Sequence, residues 1–461
     1  MNYINFKDTN QHIHFIGIGG ISMSGLAEIL LQQGFHISGS DMKSSAITTH
    51  LQNLGIPVSI GHRTSNVPTN TDLVVYTAAI KEDNEERVMA QQKKIPTIDR
   101  AQLLGEIMKN YGHSIAVAGT HGKTTTTSML AQIFLYAKKD PTITVGGMLD
   151  AIGGNLHLGK SPYFITEACE YCDSFLKFSP SVALILNIEA DHLDYFKNIQ
   201  HIRQSFKSFA KKVPQEGIVI INGDIEKVDE VIKDLSCTTI TFGLDPEKSL
   251  WHPANITYND KAFSSFDIFC GKQNMGTIHL QVPGTHNIYN ALGACVTAYS
   301  LGLSMNAIIQ GLSQYKGTHK RFEYKGDLKG ITIIDDYAHH PTEVKATLNV
   351  AKKYPHKNLW CVFQPHTYTR TRAFLKEFAF ALQAADKVVL TDIYAAREKN
   401  PGDIHSKDLY NELQKNGTEV YYFPTFEEIE CFLLENCIPG DLLITMGAGD
   451  VSMIGEELLG Q

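Results

Sequence analysis

The run Ala118-Gly119-Thr120-His121-Gly122-Lys123-Thr124-Thr125-Thr126 sets two glycines, a lysine and a row of hydroxyls where a chain can hold phosphate. An apolar stretch at 114–117 before it reads as a buried strand. Residues 125–137 after it carry apolar side chains at helical spacing, so the glycines fall at a strand-to-helix turn. There Gly119 and Gly122 let successive backbone N–H groups point at phosphate oxygens, Lys123 adds positive charge near the β and γ phosphates, and Thr124 offers a hydroxyl to Mg²⁺. The ligand this implies is ATP with Mg²⁺. The spacing departs from the usual G-x-x-x-x-G-K-[ST] in that Val117 occupies the place of the first glycine.

Further chemistry-bearing residues stand at strand ends. A strand at 163–166 runs into Glu167-Ala168-Cys169-Glu170, and one at 182–186 into Asn187-Ile188-Glu189-Ala190-Asp191-His192-Leu193-Asp194. Glu167 is a candidate Mg²⁺ ligand because a carboxylate is a hard donor; His192 is a softer one, acting through water or on a second ion. Farther on, 335–341, 363–370, 392–398 and 446–450 each follow a strand and would gather on one edge of a parallel sheet. Within them Arg370 could grip a carboxylate at two points, and His339 and His366 could orient an amine or accept its proton. Near the start, Gly17-Ile18-Gly19-Gly20 follows an apolar strand at 12–18, and Ser40-Asp41 closes the next strand about 20 residues on. Ser22 at the third glycine of G-x-G-x-x-G weakens an NAD reading and leaves a nucleotide-diphosphate reading in place.

The elements that position these residues alternate strand and helix throughout, which defines an α/β chain. Its 461 residues exceed one core and suggest three domains: a Rossmann-like domain at 1–110, a central phosphate-loop αβ domain at 111–316 and a second Rossmann-like domain at 317–461. Residues 237–283 alternate apolar and polar positions and read as β-structure inside the central domain. The formal charge of -8 argues against a nucleic-acid partner, and 43% hydrophobic with 20% charged residues argues against extended disorder. The start of the chain has neither the basic nor the apolar region of a leader, and no run reaches the ~18 apolar residues of a membrane span. Eight scattered cysteines read as reduced thiols; Cys169-x-x-Cys172 lacks the further ligands a zinc site needs. A cytoplasmic enzyme without membrane insertion is expected.

Taken together, the motifs resemble those of the Mur ligases of peptidoglycan assembly along essentially the whole chain. They are His14-Phe15-Ile16-Gly17-Ile18-Gly19-Gly20 through Ser24-Gly25, Gly119 to Thr125, Asn187 to His192, His286-Asn287-Ile288-Tyr289-Asn290-Ala291, Arg321-Phe322-Glu323, Asp335 to Glu343 and Phe363-Gln364-Pro365-His366. The resemblance implies an ADP-forming acid:amino-acid ligase, monomer or homodimer, whose domains bind UDP-sugar, ATP and amino acid in that order. In the alanine-adding branch, which the glycine loop and the 187–192 run fit best, ATP phosphorylates the carboxylate of UDP-N-acetylmuramate and the amine of L-alanine displaces the phosphate.

By the same resemblance, Gly119, Thr120, His121, Gly122, Lys123, Thr124 and Thr125, with His286, Asn287 and Asn290, would contact ATP. Lys123 would stabilise the migrating phosphoryl group, Thr124 and Glu167 would hold one Mg²⁺ and His192 a second, and Arg321, Asp335 and Asp336 would complete the catalytic site. Gly17, Gly19, Gly20, Ser40 and Asp41 would hold the UDP moiety, and Tyr337, His339, His366 and Arg370 the alanine. Two departures stand out. Thr367 replaces an arginine common in relatives, and Cys169 stands at the middle aspartate of their E-A-D-E-S-D run, with both glutamates kept. The alternatives are a murein-recycling ligase adding a tripeptide to the same sugar nucleotide, an NAD-dependent oxidoreductase on the first βαβ unit, which leaves Lys123 without a role, and a nucleotide-binding regulator without catalysis.

Overall fold

A computed structural model describes residues 3–460 apart from Asp194 and Arg397, so the Asp194 end of the 187–194 run and Arg397 of the 392–398 loop lie outside the described residues. Among the described residues three sheets form, one in each third of the chain. In the first, strands Val58–Ile60, His36–Asp41, His12–Ile16, Leu73–Tyr76 and Thr97–Asp99 lie side by side in that order, all parallel. The strand order reverses beside His12–Ile16, so the Gly17–Gly20 turn opens at the switch-point crevice where such sheets bind ligands.

The second sheet carries a parallel run of Thr238–Phe242, Ile218–Asn222, Val182–Ile185, His113–Ala118, Tyr163–Ala168 and Thr142–Leu149. The alternation at 237–283 resolves into Thr238–Phe242 and three further strands, Trp251–Tyr258, Phe263–Cys270 and Gln273–Pro283, of which the last two pairings are antiparallel. In the third sheet the order is Glu323–Leu328, Ile331–Asp336, Leu442–Met446, Leu359–Phe363, Lys387–Leu390 and Glu419–Tyr422, antiparallel only at its first pair. As the strand-end polar runs suggest, the loops of this sheet meet at one edge: His366 pairs with Tyr394, Gln364 Nε2 donates to Asp450, and Gly447 N donates to Asp336 O.

The apolar packing is unequal between the units. One core runs from the first sheet into the second without a break, joining Leu103 and Ile107 of the Arg100–Met108 helix to Phe175, Phe206 and Phe209. The cores on the two faces of the third sheet, by contrast, draw on Phe322 and residues beyond it. A hairpin of Thr142–Leu149 and Gly154–His157 reaches all three units: Leu156 packs at Gly25, Gly146 N donates to Glu167, and Asp150 accepts from His319. In the described residues no helix is long and apolar enough to cross a membrane.

Gly105 shows how closely the first two units are joined. A Cβ at this position would stand 2.0 Å from the carbonyl oxygen of Lys177, so only glycine lets the Arg100–Met108 helix seat there. Gly105→Ala should therefore destabilise the protein by roughly 1–3 kcal/mol, as overpacking does, and lower Tm in a thermal melt. An unchanged Tm would mean that the helix does not sit against Lys177.

Candidate active site

The phosphate loop is shaped from its backbone upward. Gly119 and Gly122 have φ of 151° and 81°, and Gly122 precedes the Lys123–Tyr136 helix with no side-chain cap on the helix N–H groups. A Cβ on Gly122 would lie 2.5 Å from Asn290 Oδ1, so the glycine also allows the Thr285–Ser300 helix its close approach. The loop is clamped by the run after Val182–Ile185. Asn187 accepts from His121 N at 2.8 Å and donates to His121 O at 3.0 Å, while Glu189 N donates to the Thr120 hydroxyl at 2.9 Å. An uncapped helix start preceded by free-running glycines is an anion site by construction.

Beside the loop lies a cavity of about 550 Å³, lined by His121, Gly122 and Thr125 from one side, His286, Asn287 and Asn290 from the second, and Arg321, Asp336 and Glu343 from the third unit. The structure thus brings most of the expected ATP contacts to one cavity. Burial lowers His286 to about 4, which keeps the imidazole neutral. Asp336 faces the cavity and is tied by Phe322 N, Ala338 N and the Thr347 hydroxyl; burial, opposed by Arg321, raises its carboxyl to about 6. Asp335 does not join it. Consecutive strand residues point to opposite faces, and Asp335 accepts from the Thr445 hydroxyl on the neighbouring strand at 2.6 Å.

Lys123 is held back along its own loop. Its Nζ donates to Thr120 O at 3.1 Å and to the buried carboxylate of Glu170 at 3.0 Å. Burial opposes the ammonium charge, but Glu170, with Cys169 and Glu167, outweighs it and raises the lysine above its usual range. Thr124 and Glu167 meet as expected, the hydroxyl donating to Glu167 Oε2 at 3.1 Å. Two oxygen donors at the helix start fit Mg²⁺. His192 sits in the left-handed region at φ 52°, over the ring of Tyr171 and 3.8 Å from Asp191. Burial lowers its imidazole, leaving a nitrogen lone pair for a cation. His121, Glu189 and His340 also gather their donor atoms, but His340 Nδ1 accepts from Thr342 N, so its Nε2–H donates to Ala190 O and no lone pair remains for an ion.

A second cavity of about 240 Å³ holds the whole expected amino-acid set, Tyr337, His339, His366 and Arg370, together with Asp191, His192 and Thr367. Arg370 pairs with Asp191 at 3.1 Å and donates through Nη1 to His366 Nδ1 at 3.1 Å. Burial works against the Asp191 charge, yet the Arg370 guanidinium, helped by the backbone N–H of His192, holds its carboxyl far below the usual range. His339 donates from Nδ1 to Tyr337 O at 2.9 Å, which leaves its Nε2 as an acceptor. Thr367, the departure from relatives, is buried at φ 67° before the Tyr368–Ala373 helix.

At the first sheet, Gly17 turns at φ 81°, Gly20 precedes the Ile21–Gln32 helix without a side-chain cap, and Asp41 Oδ2 accepts from Gly19 N at 2.8 Å. Ser40 works from beneath: its carbonyl accepts from Gly17 N and Ile18 N, while its hydroxyl donates to Glu86 at 2.7 Å. Glu86, which also binds His14, Asn66 and Arg63 N, is a hub that sequence reasoning missed; it lies in the first turn of the Glu85–Gln92 helix with no motif around it. Asp191, Glu170 and Glu343 lie inside the sequence motifs, and charge at a strand or helix end is the signal that marks them.

Sheet, loop and cavities define a phosphate-loop α/β chain with Rossmann-like units on either side, and family profiles agree. Residues 12–112 match the Mur ligase family catalytic domain, 117–298 the Mur ligase middle domain and 320–449 the Mur ligase glutamate ligase domain. The chain belongs to the Mur ligase family. It is 54% identical to UDP-N-acetylmuramate--L-alanine ligase of Lachnoclostridium phytofermentans over 97% of each chain, and 52% identical to the protein of that name from Acetivibrio thermocellus over 100% of this chain and 98% of the other. The crystal structure of UDP-N-acetylmuramate-alanine ligase from Thermotoga maritima superposes with a TM-score of 0.80 at 29% identity, covering 98% of this chain and 99% of that one. A murein peptide ligase from Psychrobacter arcticus gives 0.70 at 26% identity, covering 98% of each.

Burial also brings His339 down to about 4, against 6.5 in the unfolded chain. Between these values the unfolded state binds more protons, so stability falls as pH drops from 6.5 towards 4. His339→Gln should lessen the loss of Tm between pH 6.5 and 4.5. Wild-type and variant curves of equal slope would show that His339 is not held neutral.

Proposed function

We propose that this Mur ligase joins L-alanine to the carboxylate of UDP-N-acetylmuramate at the expense of ATP, giving ADP and phosphate, in the assembly of peptidoglycan precursors. The observation that carries this reading is the meeting of two cavities along one strand-end run. Glu189 lines the nucleotide-sized cavity, and Asp191 and His192 line the smaller one that holds Arg370. A carboxylate presented there from the first domain has a phosphoryl donor on one side and an amine on the other. The full-length relatives carry the name of this activity.

In the first step the γ-phosphoryl group passes to the carboxylate oxygen and ADP leaves. Lys123, exchanging Glu170 for phosphate, follows the migrating charge, and the uncapped helix start holds the phosphates in line. Thr124 and Glu167, with His192 towards a second ion, would hold Mg²⁺, which neutralises charge on the transferring group. In the second step the amine attacks the acyl carbon, the C–N bond forms, and the C–O bond to phosphate breaks. Arg370 grips the alanine carboxylate. The bare Nε2 of His339 is the acceptor aimed for the amine proton, since His366 Nδ1 is already taken by Arg370. A cavity of about 240 Å³ suits a single small amino acid.

The test is ADP release with UDP-N-acetylmuramate against a panel of amino acids and the L-alanyl-γ-D-glutamyl-diaminopimelate tripeptide. L-Alanine should give the highest rate; a preference for the tripeptide, or AMP as product, would overturn the proposal. Arg370→Lys should raise the alanine concentration required by about 30-fold or more, because losing one partner of a desolvated charge pair costs roughly 2–5 kcal/mol and a point charge cannot rebuild the fork. The ATP and UDP-sugar requirements should stay close to wild type. An unchanged alanine requirement would place the carboxylate elsewhere.

A further inference from the structure

His121 occupies the middle of the phosphate loop, between Gly119 and Gly122, yet its side chain is held from another domain. Its Nδ1 lies 3.0 Å from Glu343 Oε1, and since a carboxylate only accepts, that nitrogen carries the proton. Glu343 divides its two oxygens. Oε2 accepts from His339 N and His340 N and caps the start of the Pro341–Ala351 helix, while Oε1 is kept for His121. The other imidazole nitrogen, Nε2, is buried without a hydrogen-bond partner on the wall of the 550 Å³ cavity.

We infer that Glu343 is a positioning residue that holds His121 as a charged donor toward the nucleotide's phosphates, so that docking of the third domain completes the phosphate loop. The inference rests on the ATP reading above and adds to it a cation that the loop lacks when Glu343 is absent. Other groups face the pair. Glu189 Oε2 stands 3.6 Å from His121 Nε2, and the His340 ring is 4.9 Å away. Arg321, His286 and His339 surround Glu343. Burial disfavours a charged His121, but Glu343 and Glu189 outweigh it and raise the imidazole to about 10. Phosphate takes the place of Glu189 beside Nε2, while Glu343 keeps Nδ1 protonated.

The experiment measures binding of a non-hydrolysable ATP analogue with Mg²⁺ to the full-length protein by calorimetry between pH 6 and 9. Wild type, Glu343→Gln, His121→Gln and the double variant are compared. Glutamine preserves the helix cap, so Glu343→Gln should fold, and unchanged UDP-N-acetylmuramate binding checks this. Wild-type affinity should be nearly level across the range. Glu343→Gln should match wild type near pH 6 and fall roughly tenfold behind by pH 8.5, as the unsupported imidazolium loses its proton and with it a charged hydrogen bond. His121→Gln should be weaker at every pH and insensitive to the second substitution. A Glu343→Gln curve parallel to wild type, or an offset equal at all pH values that adds to that of His121→Gln, would overturn the assignment. Failure of the wild type to bind the analogue at all would instead remove the nucleotide reading, and the inference with it.

Discussion

The first N–H groups of the Lys123–Tyr136 helix have no side chain to satisfy them, because the residue before them is a left-handed glycine that Asn290 approaches too closely for any other residue. Those donors need an anion, and the surrounding architecture serves that need. The strand His113–Ala118 aims the turn at the middle of the second sheet, beside the reversal of strand order. Asn187 fixes the loop from the neighbouring strand end, and Glu170 occupies Lys123 in the meantime. The site is therefore not slack. Its cations are paired with carboxylates from the same clefts, and a phosphate enters by replacing them.

That electrostatic arrangement explains how the third unit is attached. Its cores are its own, whereas the first and second units share one. The third unit is joined to the others by polar pairs: Glu343 to His121, Thr342 to Glu189, Arg370 to Asp191 and His319 to Asp150. Polar interfaces of this kind between domains permit relative motion, because breaking them exposes groups that water can satisfy. The same residues that dock the unit line the two cavities, so docking and site assembly are one event.

Much of this was legible in the chain. Strand-to-helix punctuation by glycine located the phosphate loop, and polar runs at strand ends located the residues of the amino-acid cavity, because in parallel sheets those ends share an edge. What sequence order hides is direction. Asp335 and Asp336 read as a pair, but the two-residue period of a strand sends them to opposite faces, and only Asp336 meets the cavity. Ser40 reads as a ligand contact, and its hydroxyl is spent on Glu86. Glu86 itself gathers partners from three separate segments, which no local pattern can announce. The 121–343 pair spans more than two hundred residues and belongs to the same class of fact.

The hairpin of Thr142–Leu149 and Gly154–His157 has a practical side for anyone altering this chain. Surface hairpin tips are ordinarily the first choice for a tag, a label or a protease site, since little depends on them. Here Asp150 holds His319 of the third unit, Gly146 holds Glu167, and Leu156 fills the space beside Gly25 in the first. A graft at 150–153 would disturb three interfaces at once, whereas the exposed turn at 271–272, on the outer antiparallel strands, has far less at stake.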